Sequence, residues 1–240
     1  MNLFYWSTID ILLWGFMTAY LNQVGKAGFN FMTVILGAVV LWNFFTRVQY
    51  GLTISFLEDV WTRNFINLFS TPLTILEYVA GIILTSFITA FISLGITVFL
   101  AWLFFAYNIF QFGFLLVPFM AVLFIFGWSV GLFATAVILR FGPSAEIFAW
   151  SFPLLFSPLS SVFYPISALP DWLEPVSRAI PATHIFEGMR GVVLTGVFDW
   201  GFLFSGFLLS MLYFAVSYVI LLRAYRIVLK RGLFTRFSTD

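Results

Sequence analysis

Four ionisable side chains, Asp10, Arg47, Glu77 and Glu146, stand inside or at the edges of long apolar runs. A charge placed in hydrocarbon is costly, so such groups are paired, line a watery path or carry protons. Asp10 and Arg47 fall at matching depth on what would be adjacent antiparallel helices. That predicts an intramembrane ion pair, with structural pairing the plainer reading and cargo contact the alternative. Glu77 and Glu146 lie close to expected helix starts, where the positive end of the helix dipole favours a carboxylate. A proton-carrying Asp10 or Glu146 would instead make the chain an ion-driven transporter.

A second group, Asp171, Glu174, His184, Glu187 and Arg190, sits in a proline-rich stretch. His184, Glu187 and Arg190 recur every third residue, which puts them on one helical face. Acid–base work on a lipid at a membrane surface is one option for His184, Glu187, Asp171 and Glu174. A lone histidine near a helix end is more commonly a cap or a salt-bridge partner. Other chemistry has no residues to carry it. There is no Gly-x-Ser-x-Gly elbow and no His-Glu-x-x-His helix. No Gly-x-x-x-x-Gly-Lys-Ser/Thr loop occurs, and the lysines are Lys26 and Lys230. Cysteine is absent and His184 is the single histidine, so thiolate and poly-histidine metal sites are excluded.

The elements that must position these groups are membrane elements. The 240 residues are 62% hydrophobic and 9% charged, with mean hydropathy +1.05. A soluble domain is about 25% charged, and this chain has too little polar surface to stay in water. A net charge of +1 with no basic face argues against nucleic acid. Runs of about 20 apolar residues are needed to span a bilayer as helices. They fall at 3–21, 31–56, 72–106, 114–139, 145–163 and 197–222, giving an all-α integral membrane protein of six helices in a single domain over 1–240. The first run lacks the basic flank and small-residue cleavage site of a signal peptide. With both termini cytoplasmic, the inner segments hold seven Lys and Arg (Arg63, Arg140, Arg223, Arg226, Lys230, Arg231, Arg236) and the outer ones three (Lys26, Arg178, Arg190). That asymmetry sets the orientation. Seven of the nine prolines lie between Pro143 and Pro181, unlike the matched broken helices of repeat-built secondary transporters.

Between the second and third runs, residues 57–70 place Leu57, Val60, Trp61, Phe65, Leu68 and Phe69 on one helical face. Glu58, Asp59, Thr62, Arg63 and Asn67 take the other. This predicts a short amphipathic helix on the inner surface, either a plain interfacial helix or a docking helix for a cytoplasmic partner. Thr71 and Pro72 read as N-cap and first residue of the third span. In 164–190 a descent, a turn at Leu169-Pro170 and two short helices are expected, about 171–179 and 181–190, with Thr183 capping the second. Backbone broken at membrane depth must be covered by protein or face a watery cavity. Gly127 and Gly131 form a small-xxx-small pair suited to close helix packing.

The order of four stretches resembles the membrane subunit of an ABC exporter of the ABC-2 type, over almost the whole chain. Ile9-Asp-Ile-Leu-Leu-Trp-Gly15 is similar to that family's first helix. Phe56-Leu-Glu-Asp-Val-Trp-Thr-Arg-Asn-Phe-Ile-Asn-Leu-Phe-Ser-Thr-Pro-Leu-Thr-Ile-Leu-Glu77 resembles its coupling helix and third-span entry. Arg140-Phe-Gly-Pro-Ser-Ala-Glu-Ile-Phe-Ala-Trp150 resembles the turn into its fifth span. The most specific stretch runs from Pro158 through Tyr164, Pro165, Pro170, Trp172 and Pro175 to Pro181-Ala-Thr-His-Ile-Phe-Glu-Gly-Met-Arg190. It resembles the family signature with its two outer re-entrant helices.

The resemblance implies two such membrane subunits, identical or related, with two cytosolic ATPase subunits, in a plasma or bacterial inner membrane. ATP and Mg would belong to those ATPase partners, and this chain would bind no cofactor and catalyse no reaction. Glu58, Trp61, Arg63, Asn64 and Asn67 would touch or position the ATPase, with Glu77 and Glu146 supporting that surface. Tyr164, Pro165, Pro170, Trp172, His184, Glu187 and Arg190 would form an outer gate. Cargo in the family includes polysaccharides, lipid-linked glycans, lipids and hydrophobic drugs, and membrane lipids surround the subunit. Family members carry a basic amphipathic helix before the first span, whereas Met1 and Asn2 alone precede Leu3 here.

Overall fold

The structure is a computed structural model that describes residues 2–24, 31–62 and 71–230. Its regular elements are helical: α1 (Asn2–Val24), α2 (Phe31–Trp61), α3 (Ile75–Phe105), α4 (Leu116–Phe141), α5 (Ile147–Leu159), α6 (Glu174–Arg178), α7 (Pro181–Thr195) and α8 (Trp200–Lys230), with 3-10 turns at Ile109–Leu115, Pro143–Glu146 and Ile166–Ala168. Among the described residues, four stretches are long and apolar enough to cross a membrane: Phe31–Trp61, Ile75–Phe105, Ile109–Phe141 and Trp200–Lys230. This is the pattern of a multi-pass membrane protein, since in hydrocarbon a helix satisfies its backbone within itself.

Several expected boundaries move, each for a physical reason. The second helix does not end at Phe56. It continues unbroken to Trp61 because Phe56, Leu57 and Val60 are buried in an apolar cluster with Val79, Ile82, Leu139 and Leu221. Glu58 and Trp61 therefore belong to the last turns of α2, not to a separate amphipathic helix. The rest of that expected helix, with Arg63, Asn64 and Asn67, lies outside the described residues.

The cap of α3 is Thr74, not Thr71. Thr74 has extended φ/ψ, its hydroxyl oxygen accepts from the Glu77 N–H at 3.3 Å, and Glu77 Oε2 accepts from the Thr74 N–H at 2.8 Å. This reciprocal box satisfies two amide donors that a helix start leaves orphaned. Thr71 has Thr74 three residues on, which offers no such carboxylate.

The fifth run, expected as one span over 145–163, begins with a 3-10 turn and then forms the 13-residue α5, which includes Pro153 and Pro158. That helix is about 20 Å long, against a hydrocarbon core of about 30 Å. Ser161 then adopts φ +51 and turns the chain. The first short helix after it is α6 alone. The second is longer than expected: Pro181 starts α7, the apolar face Ile185, Phe186 and Met189 is buried, and the helix runs on to Thr195, where Gly196 in the left-handed region ends it. Thr183 sits inside its first turn, and Ile180 is the N-cap residue. α8 runs to Lys230, past the expected end at 222, because Leu221, Ala224 and Val228 bury one face.

α2 is the central helix and packs against α1, α3, α4, α5 and α7, while the most extensive pairing is α4 with α8. Gly127 and Gly131 explain the closeness of α2 and α4. A Cβ added at Gly127 would lie 2.9 Å from Val48 Cβ and 3.2 Å from the Phe45 carbonyl oxygen. One at Gly131 would lie 3.1 Å from Leu52 Cβ. Two apolar clusters divide the bundle by its ends. One joins the ends of α2, α4 and α8 with the starts of α3 and α5. The other joins α1, the first half of α2, the first half of α4, and α7.

Candidate functional site

At the Trp61 end, two long-range hydrogen bonds tie α2 to its neighbours. Trp61 Nε1 donates to Glu146 Oε2 at 3.1 Å, joining the last turn of α2 to the turn that enters α5. Tyr78 donates its hydroxyl to Asp59 Oδ2 at 2.8 Å, joining the same end of α2 to the start of α3. Trp61 is half exposed, and Glu58 and Glu77 are exposed beside it. The described part of this surface therefore presents an indole and a set of carboxylates on three helix ends that are bonded together. Tyr78 was not singled out by the sequence, and Asp59 was placed only on the polar face of 57–70, since nothing in their spacing reveals a contact across the turn. The cap was expected at Thr71, although the Thr74-x-x-Glu77 spacing is the pattern that marks it.

Deeper in the bundle, Asp10 on α1 lies near Arg47 and Asn43 of α2, close enough for the Asp10 and Arg47 charges to attract. Asn43 and Arg47 are four residues apart, so they share a face of α2. Two residues further along, Gln49 is fully buried and crosses to α5. Its Nε2 donates to the Ala149 carbonyl at 3.2 Å and to Thr53 Oγ1 at 3.0 Å. Tyr50 donates to the Trp150 carbonyl at 3.5 Å, with the two rings 5.3 Å apart. A polar seam thus runs along α2 between α1 and α5. Gln49 escaped sequence reasoning because an uncharged amide in an apolar run does not stand out.

At the opposite end, α7 fastens the turn that follows α5. Glu187 Oε1 accepts from Arg190 Nη1 at 2.5 Å and from the Ile166 N–H at 2.7 Å. Arg190 Nη2 donates to the carbonyls of Ser161 at 2.8 Å and Val162 at 3.4 Å. Burial holds the Arg190 guanidinium below its ordinary pKa, and the neighbouring Glu187 carboxylate offsets this. Ser161, Ser177 and Thr183 hydroxyls form a buried chain at 3.2 and 3.3 Å. Tyr164 donates to the Pro158 carbonyl, and burial raises its phenol pKa, which keeps it a donor. Pro165 and Pro170 shape the turns through their carbonyls, which accept from Ala168, Leu173 and Glu174. Trp172 is exposed.

This segment reaches down among the helices. Phe163 stacks on Trp14 of α1 at 4.1 Å, and Phe186 meets Trp42 of α2 at 6.0 Å. Trp42 lies about 16 Å along α2 from Phe31, so the segment enters the bundle rather than resting on it. His184 is not joined to Glu187. Its Nε2 shares a hydrogen bond of 2.8 Å with the Arg178 carbonyl, while Glu174 pairs with Arg178 at 2.6 Å. The shared helical face of His184 and Glu187 thus yields no acid–base pair: each is bound to structural partners.

No curated protein matches the chain. Residues 1–194 match the ABC-2 type transporter family, a stretch that takes in α1 through α7 nearly to its end and so includes every hydrogen bond and ion pair of this site. The chain therefore belongs to the ABC-2 type transporter family, as a multi-pass membrane permease component.

Proposed function

We propose that this chain is the membrane permease subunit of an ATP-driven exporter. It moves a lipid-linked glycan, polysaccharide, lipid or hydrophobic drug away from the cytoplasm or inner leaflet. The family match over residues 1–194 carries the reading. In this reading six segments cross the membrane, both termini are cytoplasmic, and the Trp61 end faces a cytosolic ATPase that supplies the ATP and Mg chemistry. A second copy or a related subunit completes the pathway, in a plasma or bacterial inner membrane. Glu58, Trp61, Arg63, Asn64 and Asn67 meet the ATPase, while Glu77 and Glu146 brace the helices behind them.

The hydrogen bonds support this mechanically. A push on the Trp61 end is passed to α5 through Glu146 and to α3 through Asp59 and Tyr78. Since α5 leads directly into the segment fastened by Glu187 and Arg190, the same push reaches Tyr164, Pro165, Pro170, Trp172 and His184, the outer gate. The Asp10–Arg47 pair keeps α1 and α2 in register within the bilayer.

A mild-detergent pull-down from the native host, read by mass spectrometry, tests the reading. It should recover a stoichiometric cytosolic protein that contains a P-loop, and lose it when Trp61 and Arg63 are both replaced by alanine. Transport by the purified chain under a proton gradient, with no ATPase present, would overturn it.

A further inference from the structure

A half-open cavity of about 580 Å³ lies where α3 ends, between that helix, the 109–115 turn and the start of α4. Its floor is one face of α3, carrying Phe91, Gly95, Val98 and Trp102. From Phe91 to Trp102 the helix advances about 16 Å, so the cavity is a slot rather than a bowl. One end is polar. There Tyr107 donates to the Thr33 carbonyl at 3.4 Å, and exposed Asn108 accepts from the Phe110 N–H through Oδ1 at 2.9 Å. The other end is dry. Phe91 meets the rings of Phe44, Phe87 and Phe124 at 5.7, 4.7 and 6.2 Å.

The slot is open because of a glycine. A Cβ at Gly95 would meet nothing within 4 Å, so its floor is vacant at mid-length. Its length is close to one leaflet of hydrocarbon, about 15 Å of a 30 Å core. Its polar end lies beyond the helix terminus, beside exposed Trp102 and Phe110, the kind of aromatic rim found at a membrane–water boundary. The same side of α3 exposes Ile88, Ile92 and Phe99, which a membrane-spanning chain turns toward lipid.

We propose that this slot binds one acyl chain of a bilayer phospholipid, with the ester and headgroup held at the exposed Asn108 end. Three features select that occupant: a polar mouth, an apolar length of one leaflet and an opening toward the hydrocarbon. The site lies on α3 and α4, outside the seam among α1, α2 and α5, and does not depend on the exporter reading. Gly95→Leu fills the slot from an open position, and in a helix leucine is favoured over glycine.

The full chain, stripped of lipid in detergent, is titrated with dioleoyl phosphatidylcholine and followed by native mass spectrometry and thermal melting. The wild type should retain one lipid per chain and melt higher with it, as any ligand of the folded state requires. Gly95→Leu should lose both the adduct and the lipid-dependent shift, while melting no lower than the lipid-free wild type. Val98→Trp, which narrows the same slot from the next turn, should act alike. Equal lipid retention in wild type and both variants would overturn the proposal. So would a Gly95→Leu chain that changes oligomeric state and keeps its lipid, since the slot would then be a contact between copies.

Discussion

Arg190 and Glu187 show how a single pair can hold a broken stretch of chain. Their side chains are 6% and 15% exposed, and between them they occupy two carbonyls and one amide of the turn after α5. Removing one partner strands the other charge, which costs about 3–5 kcal/mol in a buried pair. Arg190→Met is therefore expected to lower the melting temperature sharply in detergent. The double variant Glu187→Gln/Arg190→Met should lose less than Arg190→Met alone, because no carboxylate is left stranded. Strictly additive losses in that cycle would show that the two residues act separately. The sequence placed both residues on one helical face. It did not place the carbonyls of Ser161 and Val162 beside them, because those belong to a turn whose path is set by tertiary packing.

Among the elements, capping and close approach are the forces that can be varied one at a time. Thr74→Ala removes the hydroxyl that receives the Glu77 N–H and should cost roughly 1 kcal/mol. Thr71→Ala should cost little at the start of α3, so comparing the two by thermal melting locates the cap. Helix approach is tested with glycines. Gly127→Ala drives a methyl to within 2.9 Å of Val48 Cβ and should destabilise by about 1–3 kcal/mol, as overpacking does. Gly81→Ala meets open space and should be neutral or gain up to about 1 kcal/mol from helix propensity. Similar melting for the two variants would mean that α2 and α4 are free to separate. The Gly127-xxx-Gly131 spacing announced a close contact in the sequence, but its partner, the Phe45–Leu52 stretch of α2, emerged with the fold.

For the molecule as a whole, the testable quantity is sidedness. The native chain has no cysteine, so single-cysteine variants report membrane topology on an otherwise silent background. With the orientation proposed above, Asp171→Cys should react with a membrane-impermeant maleimide added to intact cells. Thr62→Cys should react only after permeabilisation. Both sites are exposed, so accessibility within the protein does not confound the result. The reverse pattern would invert the molecule and remove the Trp61 end from the cytosol.

The sequence by itself determined the solvent and the class. With 62% hydrophobic and 9% charged residues, apolar area leaves no choice but a bilayer, and apolar runs separated by prolines and charges locate the long helices. Order along the chain was enough to reveal the family resemblance, because motif order is read without knowing which residues touch. Tertiary structure decided where helices stop and which polar groups meet. α2 runs on to Trp61 because Leu57 and Val60 find a cluster built from four other helices. Glu146 bonds Trp61 across 85 residues, and Gln49 reaches Ala149 across 100. Such pairings depend on crossing angles and depth, which a one-dimensional pattern does not encode. Hydrophobicity sets which segments enter the membrane, while packing and hydrogen bonding set how those segments lock together.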